Sequence, residues 1–254
     1  MNTVIIIPAR YESSRFPGKP LALINGLPMI GQVILRARKV PRVSQVVVAT
    51  DDLRIADAAF SFKAEIVMTR DDHRSGTDRA AEAVKHLGLS PKTLVVNCQG
   101  DQPFLPVEAV SHLIDLHQAH PEWPMSTLVY PFSNPGEIPD SKHVKTVFDQ
   151  TGKALYFSRS PVPFYRDGEK EQAYYKHLGI YGYPASFLEV FTGLPTGPLE
   201  SAEKLEQLRA LEHGYSIQII ESLQDSFEVD QPEDIHFLDQ ASAPPHREII
   251  SPVK

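Results

Sequence analysis

The 254-residue chain has a single cysteine, Cys98, so no intramolecular disulfide framework is available and a reducing, cytoplasmic setting is expected. It lacks any apolar run approaching the roughly 18–20 residues that cross a bilayer. Its first apolar run meets Pro8 without a basic lead-in, so no secretory leader is expected. Positive charge is in deficit: 25 Lys and Arg against 32 Asp and Glu give a net charge of −7. That balance argues against a broad nucleic-acid-binding face, and any anion site must be local. Two glycine signatures are also missing. Without G-x-x-x-x-G-K-[ST] there is no P-loop, and without G-x-G-x-x-G an NAD-dependent dehydrogenase is excluded. No internal repeat or low-complexity segment is present.

What remains is an alternating pattern. Apolar runs at 3–8, 45–49, 65–68 and 93–97 read as strands. Between and after them, 28–40, 52–62, 75–87 and 106–119 have helical spacing, with Gly88 closing the third. Buried strands alternating with amphipathic helices predict an α/β fold with a mostly parallel central sheet. Ligands of such sheets bind at the carboxyl ends of the strands. After about residue 123 the rhythm changes. Two strands joined at Thr151-Gly152, a strand over 176–183, a helix over 199–214 and strands at 216–221 and 226–229 are expected, before a last helix from Pro232. Leu199, Leu205, Leu208 and Leu211 form the expected buried stripe of the 199–214 helix. An inserted mixed lobe within one domain, 1–240, and a weakly packed tail, 241–254, complete the expected organisation.

Five stretches carry chemistry. In "PARYESSRFPGKPL", Arg10, Arg15 and Lys19 follow the first strand; two guanidinium forks and a mobile ammonium suit phosphate oxygens, or they are cations of a solvated loop. In "MTRDDHRSGTDR", Ser75-x-x-Asp78 is a capping box, and Arg74 with Ser75 also stands at a helix N-terminus able to read a base or phosphate. In "VVNCQGDQP", Asp101 ends a buried strand, as a turn aspartate or as a ligand for a hard cation. In "FEVDQPEDI", Asp230 precedes a helix, favoured there for structural reasons or as a second metal carboxylate. Arg159 ends the "ALYFSR" strand where it could meet a carboxylate. Period-two alternation in "KHLGIYGY" puts His177 and Tyr181 on one face, opposite Leu178 and Ile180. Glu206 and Gln207 flank the leucine stripe and could face a ligand.

These motifs, together with "AEKLEQLRALEHG", occur in the order seen in 3-deoxy-manno-octulosonate (Kdo) cytidylyltransferases, the CMP-Kdo synthetases, which the chain resembles over about residues 2–238. The resemblance implies a nucleotide-diphospho-sugar transferase-like sandwich and a cytoplasmic homodimer that needs Mg²⁺. The implied reaction joins CTP and Kdo to give CMP-Kdo and pyrophosphate for lipopolysaccharide biosynthesis. Carried over motif by motif, Arg10, Arg15, Lys19, Arg74 and Ser75 would hold the nucleotide, and Asp101 and Asp230 the magnesium. Lys19, Asp101 and Asp230 would be catalytic. Arg159, His177, Tyr181, Glu206 and Gln207 would line the sugar pocket. Two departures stand out: Gln102 where the family commonly has Glu, and Glu228 where many members have Gly. Both resemble the branch that activates 8-amino-3,8-dideoxy-manno-octulosonate. Kdo, the commoner parent activity of the family, is nonetheless the first expectation and the aminosugar the alternative. A non-catalytic, nucleotide-binding regulatory protein is the alternative of another class.

Overall fold

The structure is a computed structural model and describes residues 2–13, 15–166 and 173–240. The expected tail, 241–254, lies outside the described residues. In the first half, β1 (Thr3–Ala9) leads through a small hairpin, β2 (Leu23–Ile24) and β3 (Leu27–Pro28), into α1 (Met29–Ala37). Then follow β4 (Gln45–Thr50), α2 (Leu53–Ser61), β5 (Glu65–Met68), α3 (Gly76–His86), β6 (Leu94–Asn97) and α4 (Val107–Ala119). These match the sequence expectations closely. Every residue of β1 is buried, as a continuous β-branched run covered on both faces should be. Its side chains divide by parity: Val4 and Ile6 enter one core, Ile5 and Ile7 the other.

The second half contains β7 (Met125–Pro131), β8 (Lys145–Phe148), β9 (Ala154–Ser158) and β10 (Tyr175–Pro184). After them come α5 (Ala185–Gly193), α6 (Pro198–Glu203), α7 (Leu208–Glu212), β11 (Ile217–Glu221) and α8 (Pro232–Gln240). The sheet runs β11-β7-β10-β6-β1-β4-β5, with β8 and β9 branching from β10 as a mixed lobe. On that path β10 runs opposite to the other strands, being antiparallel to both β6 and β7. The β8–β9 turn forms where expected. Asp149 Oδ1 accepts the N–H groups of Thr151 and Lys153 at 2.8 and 3.0 Å, and Gly152 takes φ +81°. Among the described residues no helix is long and apolar enough to cross a membrane.

Two expected elements differ. The helix over 199–214 is broken into α6 and α7, because Lys204 adopts the left-handed conformation (φ 55°, ψ 45°) and ends α6. The chain folds back there. Glu212 of α7 accepts the backbone N–H groups of Leu199 and Glu200 at 2.7 and 3.1 Å, and Arg209 Nε donates to Glu200 Oε2 at 2.7 Å. Leu199 is therefore exposed, not part of a buried stripe, while Leu205 and Leu208 are buried. The second correction concerns 226–229. It does not join the sheet, and is held at Val229, whose N–H donates to Asp101 O at 3.0 Å.

Chain direction positions the site. From β1 the chain moves outward through β4 to β5, then returns to β6 on the other flank of β1. The carboxyl ends of β1 and β6 therefore open onto a crevice at a topological switch point. They approach so closely that a Cβ on Gly100 would stand 2.9 Å from Pro8 O.

Candidate active site

The loop after β1 is shaped by Gly18. It sits at φ +72°, where glycine carries no Cβ penalty, and donates its N–H to Tyr11 O at 2.9 Å. The Tyr11 ring lies against it, and the Arg54 guanidinium stacks 3.4 Å from that ring's centroid. Lys19 follows immediately and reaches across the crevice. Its Nζ donates to Asp101 Oδ2 at 2.6 Å and to Val229 O at 2.8 Å, and stands 4.0 Å from Asp230 Oδ1. Arg15 Nη1 donates to Asp230 Oδ2 at 3.1 Å. Asp101 and Asp230, 129 positions apart in sequence, are thus brought together around one ammonium group.

The cluster is strongly acidic. Burial, and then the charges of Asp101 and Asp230, push the Glu228 carboxyl up to about 8. Glu228 retains a surface open to the cleft, so like-charge repulsion from the two aspartates carries that upward direction where water reaches the group. Asp101 Oδ1 is buried without a hydrogen-bond partner. An orphaned carboxylate oxygen beside a second carboxylate is the donor chemistry of a hard divalent cation that completes its shell with substrate phosphates and water. Among the described residues no cluster of three or more His, Cys, Asp or Glu is arranged to hold a metal.

Two cavities meet at this cluster. One, of about 290 Å³, is lined by Arg10, Arg15, Lys19, Ser75, Asp101 and Asp230. The other, of about 560 Å³, is lined by Arg159, His177, Tyr181, Glu206 and Gln207. Arg15, Gln99, Glu228 and Asp230 border both, so the two adjoin. A third and larger hollow, about 980 Å³, takes in Arg74 and touches the first at His73 and Ser75. Arg74 is thus at the rim beyond the first cavity, not in it. Ser75 does cap α3: its Oγ accepts the Asp78 N–H at 3.1 Å. It also faces the cavity, so both uses coexist in one residue.

The second cavity is built from β10 and the link between α6 and α7. His177 and Tyr181 share a face as the alternation predicts, with ring centroids 5.4 Å apart, despite a register shift between them. His177 Nε2 lies 3.0 Å from Thr127 Oγ1, and burial pushes the imidazole down to about 3, so it is neutral. Tyr181 donates to Gln207 Oε1 at 3.2 Å, and Gln207 Nε2 is left without a partner. Glu206 accepts a hydrogen bond from Thr77, and burial raises its carboxyl. Arg159 is turned toward backbone: Nε donates to Glu203 O at 2.7 Å and Nη1 to Ser141 O at 2.9 Å.

Some site residues were not singled out from sequence. Arg79 on α3 is buried, donates to Thr69 Oγ1 at 2.5 Å and pairs with Asp51 at 3.3 Å, yet lines the first cavity. Its signal was a cation amid the alanines of a buried helix face. Gln99 lies between the cavities, and Gly76 makes room for it: a Cβ there would be 2.9 Å from Gln99 Oε1. Lys176, paired with Asp225 at 2.6 Å, adds buried positive charge to the second cavity. Cys98 is buried and its thiol is pushed up by burial, as expected of a packed side chain rather than a nucleophile.

Known proteins share this fold. Residues 4–221 match the family model described as Cytidylyltransferase. The chain is 52% identical over 244 residues to the 8-amino-3,8-dideoxy-manno-octulosonate cytidylyltransferase of Shewanella sp. (strain W3-18-1), an alignment covering 96% of this chain and 99% of that one. The enzyme of the same name from Shewanella oneidensis is 50% identical over the same length and coverage. Among solved structures, CMP:2-keto-3-deoxy-manno-octonic acid synthetase complexed with CTP superposes with a TM-score of 0.88 at 40% identity, covering 94% of this chain and 97% of that one. A cytidylyltransferase from Leptospira borgpetersenii serovar Hardjo-bovis shares the fold at 17% identity, with a TM-score of 0.61 over 94% of this chain and 85% of that one. The chain belongs to the cytidylyltransferase family, in its octulosonate-activating group, and is a nucleotidyltransferase.

Proposed function

We propose that this enzyme transfers CMP from CTP to the anomeric hydroxyl of 8-amino-3,8-dideoxy-manno-octulosonate, with release of pyrophosphate. The observation that carries the reading is the Lys19–Asp101–Asp230 cluster at the junction of a phosphate-sized cationic cavity and a larger polar one. Two anionic reactants held in those cavities would meet beside Lys19, Arg15 and a carboxylate pair able to hold a cation. The sequence by itself puts Kdo first. Relatives bearing the aminosugar's name align over nearly the full length of both chains, and that favours the alternative.

In this reading Arg10, Arg15 and Lys19 grip the triphosphate, and the N-terminal turn of α3, through Ser75, reads the nucleoside side with Arg74 at the rim. Asp101 and Asp230 would hold magnesium, which when bound supplies charge neutralisation for the triphosphate and the reacting oxygen. The bond that forms joins the anomeric oxygen to the α-phosphorus; the bond that breaks releases the β,γ-phosphates as pyrophosphate. Lys19 offers donors to the charge that develops on the leaving group. Arg159 and Lys176 bring positive charge to the cavity that takes the sugar's carboxylate. His177, being neutral, can donate or accept a hydrogen bond without adding charge, and Tyr181, Glu206 and Gln207 present polar groups to hydroxyls. Catalysis then consists chiefly of alignment and charge stabilisation.

The direct test is mass-spectrometric detection of the CMP-linked aminosugar, with matching pyrophosphate, from CTP, Mg²⁺ and the aminosugar. Absence of product with that sugar, while Kdo is converted, would return Kdo to first place.

A further inference from the structure

Four carboxylates border the second cavity: Asp140, Glu206, Glu228 and Asp230. Three are engaged. Asp230 pairs with Arg15 at 3.1 Å and stands 4.0 Å from Lys19. Glu206 accepts from the Thr77 hydroxyl, and Asp140 Oδ1 accepts the Lys142 N–H at 2.9 Å. Glu228 is different: among the described residues its side chain has no hydrogen bond and no ion pair. Yet it borders both cavities, so it stands where triphosphate and sugar must meet. A carboxyl that Asp101 and Asp230 crowd and no cation neutralises is a standing attraction for a ligand cation.

A second acceptor lies close by in the chain path. Gln102 is 2% exposed and borders the same cavity; its Nε2 donates to Leu178 O at 2.5 Å, while its Oε1 has no donor. The Val229 N–H to Asp101 O bond clasps the two segments, with Glu228 one residue before the donor and Gln102 one residue after the acceptor.

The chemistry of the sugar supplies the cation. In its pyranose form, C6 carries the two-carbon C7–C8 side chain and is joined to the anomeric C2 through the ring oxygen. The 8-substituent therefore lies along the same edge of the ring as the reacting hydroxyl. With that hydroxyl at the α-phosphorus, the 8-substituent is kept near the junction rather than at the far end of the cavity.

We propose that Glu228, with Gln102 as a second acceptor, forms the subsite for the 8-ammonium group and thereby sets the preference for the aminosugar over its 8-hydroxy counterpart. This rests on the proposed function. A primary ammonium donates three hydrogen bonds and carries the charge that the carboxylate lacks. An 8-hydroxyl donates one and carries none. A charge-assisted contact available to one substrate alone is worth about 10- to 100-fold in discrimination.

The test compares kcat/KM for both sugars, at saturating CTP and Mg²⁺, in the wild type and in Glu228→Gln, Glu228→Asp and Asp140→Asn. We expect Glu228→Gln to lower the amino-to-hydroxy ratio about 10- to 100-fold, chiefly through KM for the aminosugar. Glu228→Asp, which keeps the charge, recovers part of the ratio, and Asp140→Asn does not reproduce the collapse. Circular dichroism of each variant confirms the fold. An equal loss on both sugars in Glu228→Gln would place the residue at the phosphoryl end and overturn the proposal. So would an unchanged ratio, or a ratio that follows Asp140. A wild type that converts the 8-hydroxy sugar and not the aminosugar would instead overturn the proposed function, and this inference with it.

Discussion

Replacing Lys19 by methionine removes the one ammonium that Asp101 and Asp230 share, while keeping a side chain of similar length. Lys19 Nζ donates at 2.6 Å to Asp101 and at 2.8 Å to Val229 O, with the Lys19 and Asp101 side chains only 14% and 21% exposed. Hydrogen bonds involving a charged group contribute about 1.5–3 kcal/mol each, and partial exposure reduces that, so the variant should lose about 2–4 kcal/mol without metal. For a chain of this size each kcal/mol moves Tm by about 2–4 °C, giving a fall of roughly 4–16 °C. Magnesium should then restore more stability to the variant than to the wild type, because the cation takes carboxylates the ammonium has vacated. Turnover should still fall about 10²- to 10³-fold, since the leaving group has lost a preorganised donor. Thermal melts with and without Mg²⁺, followed by pyrophosphate-release kinetics, provide the assay. A variant that melts with the wild type in the absence of metal would refute the stabilising pair. Equal magnesium shifts in both proteins would refute the shared carboxylate site.

Two further outcomes follow. Asp101→Ala should lower kcat by at least about 10³-fold with an unchanged circular-dichroism spectrum, and full magnesium-dependent activity in that variant would remove the carboxylate from the reaction. Burial pushes His177 down to about 3 and His117 to about 4, against about 6.5 in an unfolded chain. Their stabilising neutrality is complete above 6.5, and between there and about 4 the unfolded state binds protons that the folded state refuses. Stability therefore falls as pH falls, by up to about 1.4 kcal/mol per pH unit for each histidine. Urea midpoints that stay flat from pH 7 to pH 5 would contradict this.

The first half of the fold was legible because its strands are buried on both faces and its helices on one, so each element carries its own period. The cluster of Lys19, Asp101 and Asp230 was legible only as three separate stretches; their meeting depends on β1 and β6 being neighbours and on Val229 being clasped to Asp101, neither of which any one stretch specifies. The 199–214 segment misled because its leucine spacing fits one helix. The competing force is long-range within the segment: Glu212 caps the start of α6 and Arg209 pairs with Glu200, so the chain bends at Lys204. That bend is what puts Glu206 and Gln207 in a link facing the cavity rather than on a helix flank. Strand β7 is not legible in the sequence because it lies beyond the point where the βα rhythm stops, with buried Ser126 and Thr127 interrupting its apolar run. Arg159 stands at a strand end as expected, but its backbone partners, Glu203 O at the end of α6 and Ser141 O in a turn, are distant in sequence and no local pattern specifies them.

The central claim is best tested by giving the enzyme CTP, Mg²⁺ and both octulosonates at equal concentration in one vessel. The initial ratio of the two CMP-linked products, read by mass spectrometry, is the ratio of their kcat/KM values. A ratio of about 10 or more in favour of the aminosugar is the predicted result. A ratio at or below one would contradict the assignment of the aminosugar, and no product from either would contradict the cytidylyl transfer itself.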